Sequence, residues 1–274
     1  MVGLARRYKA EVMNSAASVP ASAMSYAKIP FMLLAMLGLQ ISVTPPHPPP
    51  SSSEKAPSTS LEIIVKQRLG PLLVKASSAA FNNIITNGNM KIICWLGAVA
   101  ETTVIVARSI PENDLSRSVL SALVITGSAD QIRITPLFLL GILLTTLGGY
   151  IRYRCYQELG RLFTFEMSIR EGHELIRTGP YTVVRHPGYS GVICAILGIV
   201  LWHASPGSWA RSCGGLEMMP CRLLTLTFLI LVTTIVVGLL RRMPKEDEAL
   251  KKEFPEEWAN WAAKVPHRLL PGVY

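Results

Sequence analysis

Apolar residues gather in five long runs, separated by polar, proline-rich or basic segments. A bilayer core about 30 Å thick needs about 20 helical residues at about 1.5 Å each. The runs Lys28–Thr44, Met90–Ala107, Ile134–Tyr150, Pro187–His203 and Leu223–Leu240 approach that length, and the last is the most apolar. They predict an all-α integral membrane protein with about five transmembrane helices. The first run begins too far from Met1 and lacks the cleavage site of a signal peptide. After it, Pro45-Pro-His-Pro-Pro-Pro-Ser-Ser-Ser-Glu-Lys-Ala-Pro reads as an extended, solvated linker. Leu61–Ala80 is mildly amphipathic and is expected to lie along the membrane surface.

Composition agrees with the pattern. Half of the 274 residues are apolar and only 16% are charged, against about a quarter in soluble domains. The net charge of +9 therefore does not imply nucleic acid, because cytoplasmic loops of membrane proteins collect Lys and Arg. Arg152, Arg154, Arg161, Arg170, Arg177 and Arg185 crowd the connection between the third and fourth runs. Arg241, Arg242, Lys245, Lys251, Lys252, Lys264 and Arg268 follow the fifth. Both regions are expected to be cytoplasmic, with the fourth and fifth runs forming a hairpin through the bilayer. Five spans would then put Arg6, Arg7, Lys9 and Lys28 on the far side, so either the first run does not span or the later charges prevail. The five cysteines show no regular spacing and read as small buried hydrophobes, although Cys213 and Cys221 are close enough in sequence to pair. A chain ending Pro-Gly-Val-Tyr is expected not to carry a prenyl group itself.

Glycine-rich nucleotide loops and HExxH are absent, and the five histidines lack metal-ligand spacing, so no metal site is expected. Three clusters carry candidate chemistry. In Gly172-His-Glu-Leu-Ile-Arg-Thr-Gly-Pro-Tyr181, the Gly179-Pro180 pair marks a turn flanked by His173 and Tyr181. In Arg185-His-Pro-Gly-Tyr-Ser-Gly191, Pro187 suits a first helical turn and extends His186 before it. That helix N-terminus favours an anion, and Gly188 and Gly191 leave room for a ligand or a neighbouring helix. In Arg241-Arg-Met-Pro-Lys-Glu-Asp-Glu-Ala-Leu250, Arg242 and Glu246 are spaced to share a helix face, with Pro244 between them as a candidate kink. Each cluster alone is also what a surface turn, an interfacial anchor or a solvated helix would contain. Further on, Pro255 opens a new helix with Trp258, Trp261 and Val265 in one stripe, fit for the membrane interface or for packing on the spans.

Taken in order, the motifs Gly-His-x-Leu-Ile-x-x-Gly-Pro-Tyr, Arg-His-Pro-x-Tyr-x-Gly, Arg-x-x-x-Glu-(Asp/Glu)-x-x-Leu and Glu-Glu-Trp-x-x-Trp-x-x-Lys-Val-Pro resemble the isoprenylcysteine carboxyl methyltransferases, membrane enzymes that use S-adenosyl-L-methionine. The resemblance covers roughly residues 150–274. It departs from the family at Pro255, where a glycine is usual, at Trp258 and Trp261 in place of tyrosines, and at Asp247 in place of a second glutamate. The apolar runs divide the chain into three regions: residues 1–60, a span and the Pro/Ser-rich linker; 61–134, the amphipathic segment and second span; and 135–274, with the last three spans and the C-terminal helix, which the resemblance implies is catalytic and holds a cytosolic cofactor pocket. Carried over by motif, His173, Glu174, Leu175, Ile176, Tyr181, His186, Pro187, Gly188, Tyr189 and Glu246 would hold the cofactor. Arg242 would bind the substrate, and Arg242 and Glu246 would form the catalytic pair. The implied partners are prenylated CaaX-type proteins after proteolysis and the lipid bilayer, not nucleic acid. The implied location is the endoplasmic reticulum membrane, multi-pass, with its catalytic face cytosolic. A phospholipid N-methyltransferase of the same superfamily and a non-enzymatic membrane scaffold are the alternatives.

Overall fold

A computed structural model describes residues 25–44, 46, 89–163 and 174–273. The Pro/Ser-rich linker beyond Pro46, the amphipathic segment Leu61–Ala80, and His173 lie outside the described residues, as do Arg6, Arg7, Lys9 and Arg170. Within the described residues all regular structure is helical. The helices are α1 (Lys28–Val43), α2 (Asn89–Ser109), α3 (Asp114–Leu123), α4 (Pro136–Leu159), α5 (Pro187–Ala204), α6 (Trp209–Ser212), α7 (Met219–Glu253) and α8 (Pro255–Lys264).

Among the described residues four segments are long and apolar enough to cross a membrane: Lys91–Ser109, Pro136–Leu159, Pro187–Ser212 and Met219–Glu253. The chain is thus a multi-pass membrane protein. The expected fifth span, α1, has 16 residues and reaches only about 24 Å at the helical rise, short of the hydrocarbon thickness. The other runs are longer than their hydrophobicity announces. The third continues to Leu159, placing Arg152 inside α4 with 3% exposure rather than in a connecting loop. The fifth continues through Pro244 to Glu253 as one helix of 35 residues. Local chemistry sets the boundaries. The Thr135 side chain accepts from Phe138 N at 3.2 Å ahead of Pro136, Gly160 ends α4 at φ 48°, and Pro187 and Pro255 open their helices. The short helix α3, which no apolar run announces, is held by a reciprocal cap between Asn113 and Ser116.

Small residues set the packing. A Cβ on Gly148 would stand 2.4 Å from Gly191 O, and one on Gly198 would stand 2.5 Å from Gly141 O. The backbones of α4 and α5 therefore touch along their length, as in membrane helix pairs joined through small residues. Gly191 thus makes room for a helix, not a ligand. Gly149 meets Gly38 in the same way and seats α1 on α4. By contrast α7 rests on the bundle through a narrow stripe, with Leu231 and Val232 against Val192 and Ile196. Its outward residues Leu223, Leu226 and Ile230 are exposed, as a lipid-facing surface requires. All five cysteines are free, Cys213 and Cys221 included.

One end of the bundle is closed by an ion pair with no exposed side-chain surface, Lys28 with Glu101. The Lys28 ammonium also donates to Gly207 O at 2.8 Å and lies 4.4 Å from the centroid of the Phe138 ring. Glu101 accepts in addition from Trp209 N at 3.2 Å. Lys28 is therefore not a loop charge that orients the chain, but a buried strut joining α1, α2 and the α5–α6 turn. Its partners α1 and α2 meet again at the opposite end, where Lys91 Nζ donates to Thr44 Oγ1 at 2.8 Å.

Removing one member of a buried pair strands a charge at a cost of about 3–5 kcal/mol, whereas replacing both by apolar residues is close to neutral. Lys28→Met is expected to lower the melting temperature of the detergent-solubilised protein sharply, and Lys28→Met/Glu101→Leu to recover most of it. A double variant no more stable than the single one would show that the pair does not act as a unit.

Candidate functional site

The C-terminal end of α4, the N-terminal end of α5 and the last third of α7 converge at the bundle end remote from Lys28. Two connections make this firm. Tyr189, in the first turn of α5, donates its hydroxyl to Glu246 of α7. His186, capping α5, sits with Nε2 3.0 Å from Asp247 Oδ1. Glu246 and Asp247 are adjacent and point to different partners, so one turn of α7 serves two purposes.

The Glu246 side gathers most of the residues expected from the motifs. Arg242 Nε lies 3.6 Å from Glu246 Oε2, one helical turn apart and on one face as expected. Both side chains are partly exposed, at 19% and 31%. Tyr181 comes from the short 3₁₀ turn Gly179–Thr182. That turn is held by Glu158 at the end of α4, which accepts from Thr178 Oγ1 at 2.6 Å. Gly179 has φ 57°, a conformation that favours glycine, and it packs directly against the Glu158 side chain. The Tyr181 ring is half-buried while its hydroxyl lies deep. Burial pushes the phenol well above its ordinary value, and the neighbouring Cys155 thiol and Glu246 carboxylate push it the same way. Tyr181 is consequently a protonated donor at neutral pH. Glu174 is exposed, and Leu175 and Ile176 are half-buried in the irregular run before this turn. Pro187 and Gly188 are buried beside Arg152.

Asp247 carries the other side. Its carboxylate also lies 3.4 Å from Arg185 Nη2 and 3.2 Å from Arg268 Nε, and is 8% exposed. The anion attracted to the start of α5 is thus in the first place the chain's own aspartate. Arg185 is committed to the same purpose, donating through Nη1 to Val265 O at 3.0 Å and Pro266 O at 2.9 Å. The segment after α8 is laid over the start of α5 by Arg185 N to His267 O at 2.9 Å, His186 N to Arg268 O at 2.8 Å, and Ser190 Oγ to Leu269 O at 2.7 Å. Trp261 is buried and donates from Nε1 to Tyr181 O at 3.1 Å, and the Arg185 guanidinium stands 5.9 Å from the Trp258 ring centroid. The Trp258/Trp261/Val265 stripe therefore packs on the protein. A cleft of about 320 Å³ opens beside it, lined by Arg177, Thr182, Asn260, Trp261, Lys264 and Val265. It does not include Tyr189 or Glu246.

Motif reading gave no role to Arg185 and Asp247, which lie inside its motifs, and missed Arg268 and the burial of Arg152. Asp247, Arg185 and Arg268 are common surface residue types whose burial appears only once α5, α7 and the last residues meet. Arg152 was counted among loop charges. It lies within α4, donating through Nε to Ser42 O and Tyr156 Oη, both at 3.1 Å, and stacking 5.0 Å from the Phe163 ring. An arginine two residues after an otherwise apolar run was its signal, since charges inside spans are rare and mark structure or function.

Fold and site thus define an all-helical, multi-pass membrane protein with a polar cluster at one bundle end. The protein-family model for phospholipid methyltransferases matches residues 137–214, which span α4, α5 and α6. Over 129 residues the chain is 28% identical to protein-S-isoprenylcysteine O-methyltransferase B of Arabidopsis thaliana, covering 46% of this chain and 55% of that protein. Over 135 residues it is 30% identical to a probable protein-S-isoprenylcysteine O-methyltransferase of Oryza sativa subsp. indica, covering 48% and 60%. A stretch of 103 residues is 25% identical to a delta(14)-sterol reductase of Mus musculus, covering 38% and 20%. The chain therefore spans somewhat more than half the length of the isoprenylcysteine methyltransferases it resembles.

Asp247→Asn removes the countercharge to two arginines and replaces one acceptor oxygen by an NH₂ donor, at an expected cost of about 3 kcal/mol. Hydrogen–deuterium exchange of residues 265–270 is expected to rise sharply, with the melting temperature falling alongside. Unchanged exchange there would show that the aspartate does not hold the segment down.

Proposed function

We propose that this chain is a membrane methyltransferase that uses S-adenosyl-L-methionine to esterify the C-terminal carboxylate of prenylated cysteine. Its acceptors are CaaX-type proteins after proteolysis, at the endoplasmic reticulum membrane, with the Glu246 end facing the cytosol. The observation that carries this reading is the meeting of the Arg-His-Pro-Gly-Tyr start of α5 with the Arg242–Glu246 turn of α7. The basic residues of both connections, Arg177 and Arg185 on one and Arg241 to Arg268 on the other, cluster at that end and favour the cytosolic side.

The side chains present suit the cofactor. It carries an ammonium and ribose hydroxyls, for which Glu246 is an acceptor already aimed by Tyr189, and Tyr181 offers a protonated hydroxyl next to it. When bound, it supplies an electrophilic methyl group on a sulfonium. His173, Glu174, Leu175 and Ile176 would complete the cofactor's surroundings together with His186, Pro187 and Gly188. The residues of this chain then have a limited task. A C-terminal carboxylate, with a pKa of about 3.5, is ionised at neutral pH and needs no base. Arg242 can hold it by a guanidinium fork at the water edge of α7. The hold must be loose enough not to favour the ground state over the transition state, and water must be kept out of a line of attack of about 3–3.5 Å. The acceptor's tail favours lipid by about 0.8 kcal/mol per buried CH₂. The exposed apolar face of α7 runs from hydrocarbon directly to Arg242, so the tail can remain in lipid while its charged tip reaches the cluster.

The phospholipid N-methyltransferase reading draws on the matching family model. An amine acceptor is a cation until it loses a proton, and Arg242 opposes a cation. Membranes containing the protein, given labelled cofactor and either a small prenylcysteine or phosphatidylethanolamine, distinguish the readings. Label is expected in a base-labile ester of the prenylcysteine. Label in the phospholipid alone would transfer the assignment, and absence of any cofactor binding would leave a scaffold.

Arg242→Ala is expected to cut ester formation about 100-fold or more while leaving cofactor affinity nearly intact in equilibrium binding; full activity would remove its role. His186→Ala, which releases the start of α5 from Asp247, is expected to weaken cofactor binding about tenfold, equivalent to about 1.4 kcal/mol. Unchanged affinity would exclude the start of α5 from the cofactor site.

A further inference from the structure

At the bundle end away from Glu246, a cleft of about 400 Å³ is lined by Gln131, Arg133, Pro206, Gly207, Arg211 and Ser212. One wall is the run leading into α4, and the other is the turn joining α5 to α6. Both walls are fastened. Arg133 N donates to Gly207 O at 3.3 Å and Ser128 N to Ser212 O at 3.0 Å. The Gly207 carbonyl also receives the buried Lys28 ammonium at 2.8 Å. Gly207 has φ 97°, and a Cβ there would stand 2.8 Å from Arg133 O. The concavity is thus built by close backbone approach, not left between loose loops.

Its charge is uncompensated. No carboxylate lines it. Of the nearby acids, the 78%-exposed Asp130 pairs with Arg108 at 2.8 Å and Glu101 with Lys28 in the interior. Among the described residues Arg211 donates only to the carbonyl of Ala204, at 3.0 Å, and the Arg133 guanidinium meets no acceptor. Two guanidinium groups and an amide in one concave site, without a countercharge, suit a compact anion with several acceptor oxygens. Depth identifies its source. Arg133 lies three residues before the span that starts at Pro136, and the span Pro187–Ser212 ends in the cleft itself. Lipid phosphates occupy that level of a bilayer.

We propose that this cleft binds the phosphate of an anionic phospholipid headgroup, with Arg133 and Arg211 gripping its oxygens and Gln131 donating beside them. The site is separate from the Glu246 cluster and independent of the methyl-transfer reading. Tied through Gly207 to the Lys28–Glu101 strut, an occupied cleft would stabilise the closed end of the bundle.

The test uses the full chain in detergent, titrated with dioctanoyl phosphatidic acid, dioctanoyl phosphatidylcholine or inorganic phosphate, with binding read by native mass spectrometry and thermal shift. Phosphatidic acid is expected to bind about tenfold more tightly than phosphatidylcholine. Arg133→Gln/Arg211→Gln should lose about tenfold of that affinity, the value of a lost charge-assisted hydrogen bond, and Arg117→Gln, on α3, should lose none. Arg133→Lys keeps the charge and the backbone contact but loses the fork. It should bind more weakly than wild type even if the double variant fails to fold. Equal binding of the two lipids, or wild-type affinity in both the double variant and Arg133→Lys, overturns the proposal. Inorganic phosphate binding as tightly as phosphatidic acid keeps the anion site but overturns the lipid as its source.

Discussion

Asp247 is the point on which the functional end depends. Its single buried carboxylate, within reach of His186, Arg185 and Arg268, joins the start of α5, the water-side end of α7 and the segment after α8. Since the apolar contact of α7 with α5 is a narrow stripe, hydrophobic contact alone does not fix its axial position. Lipid is as apolar as the helix surfaces it would replace, so packing between spans carries little of the driving force familiar from water. A charged hydrogen-bond network at the rim supplies the register that the apolar stripe leaves open, and with it the placement of Glu246 against Tyr189.

The two ends of the bundle use charge differently. At one, Lys28 and Glu101 neutralise each other inside the protein and draw α1, α2 and the α5–α6 turn together. At the other, charges lie partly exposed at the water edge, where Arg242 and Glu246 keep 19% and 31% of their side-chain surface. Burial makes the first a structural strut, and partial exposure makes the second a surface a ligand can reach. Between them the glycine seam of α4 and α5 forms a rigid backbone contact. The Arg-His-Pro-Gly-Tyr motif sits on a helix of that seam, while the Arg242 motif sits on the long helix whose outer face is exposed. An acceptor part lipid and part ion is suited to such a division.

Much of this was legible in order along the chain. The apolar runs located α2, α4, α5 and α7. Pro187 and Pro255 marked helix starts, Gly179-Pro180 marked a turn, and the four-residue spacing of Arg242 and Glu246 placed them on one face. What misled was the assumption that charge ends a span. Arg152 continues α4 because its guanidinium finds carbonyls, a tyrosine and aromatic faces inside. Pro244 lies within α7 without ending it. Charge placement left open whether the first run spans, and its 16 helical residues fall short of the bilayer.

The sequence by itself determined the class of the protein, because helical periodicity, run length and charge scarcity are local quantities that a bilayer translates directly into spans. It determined the candidate chemistry too, because motif spacing survives without a structure. Tertiary structure alone decided which polar residues are partners. Lys28 and Glu101 are 73 positions apart, and Asp247 meets His186 across 61. No local pattern encodes such pairs. They exist because helices that can hydrogen-bond their own backbones have only side chains left with which to choose their neighbours.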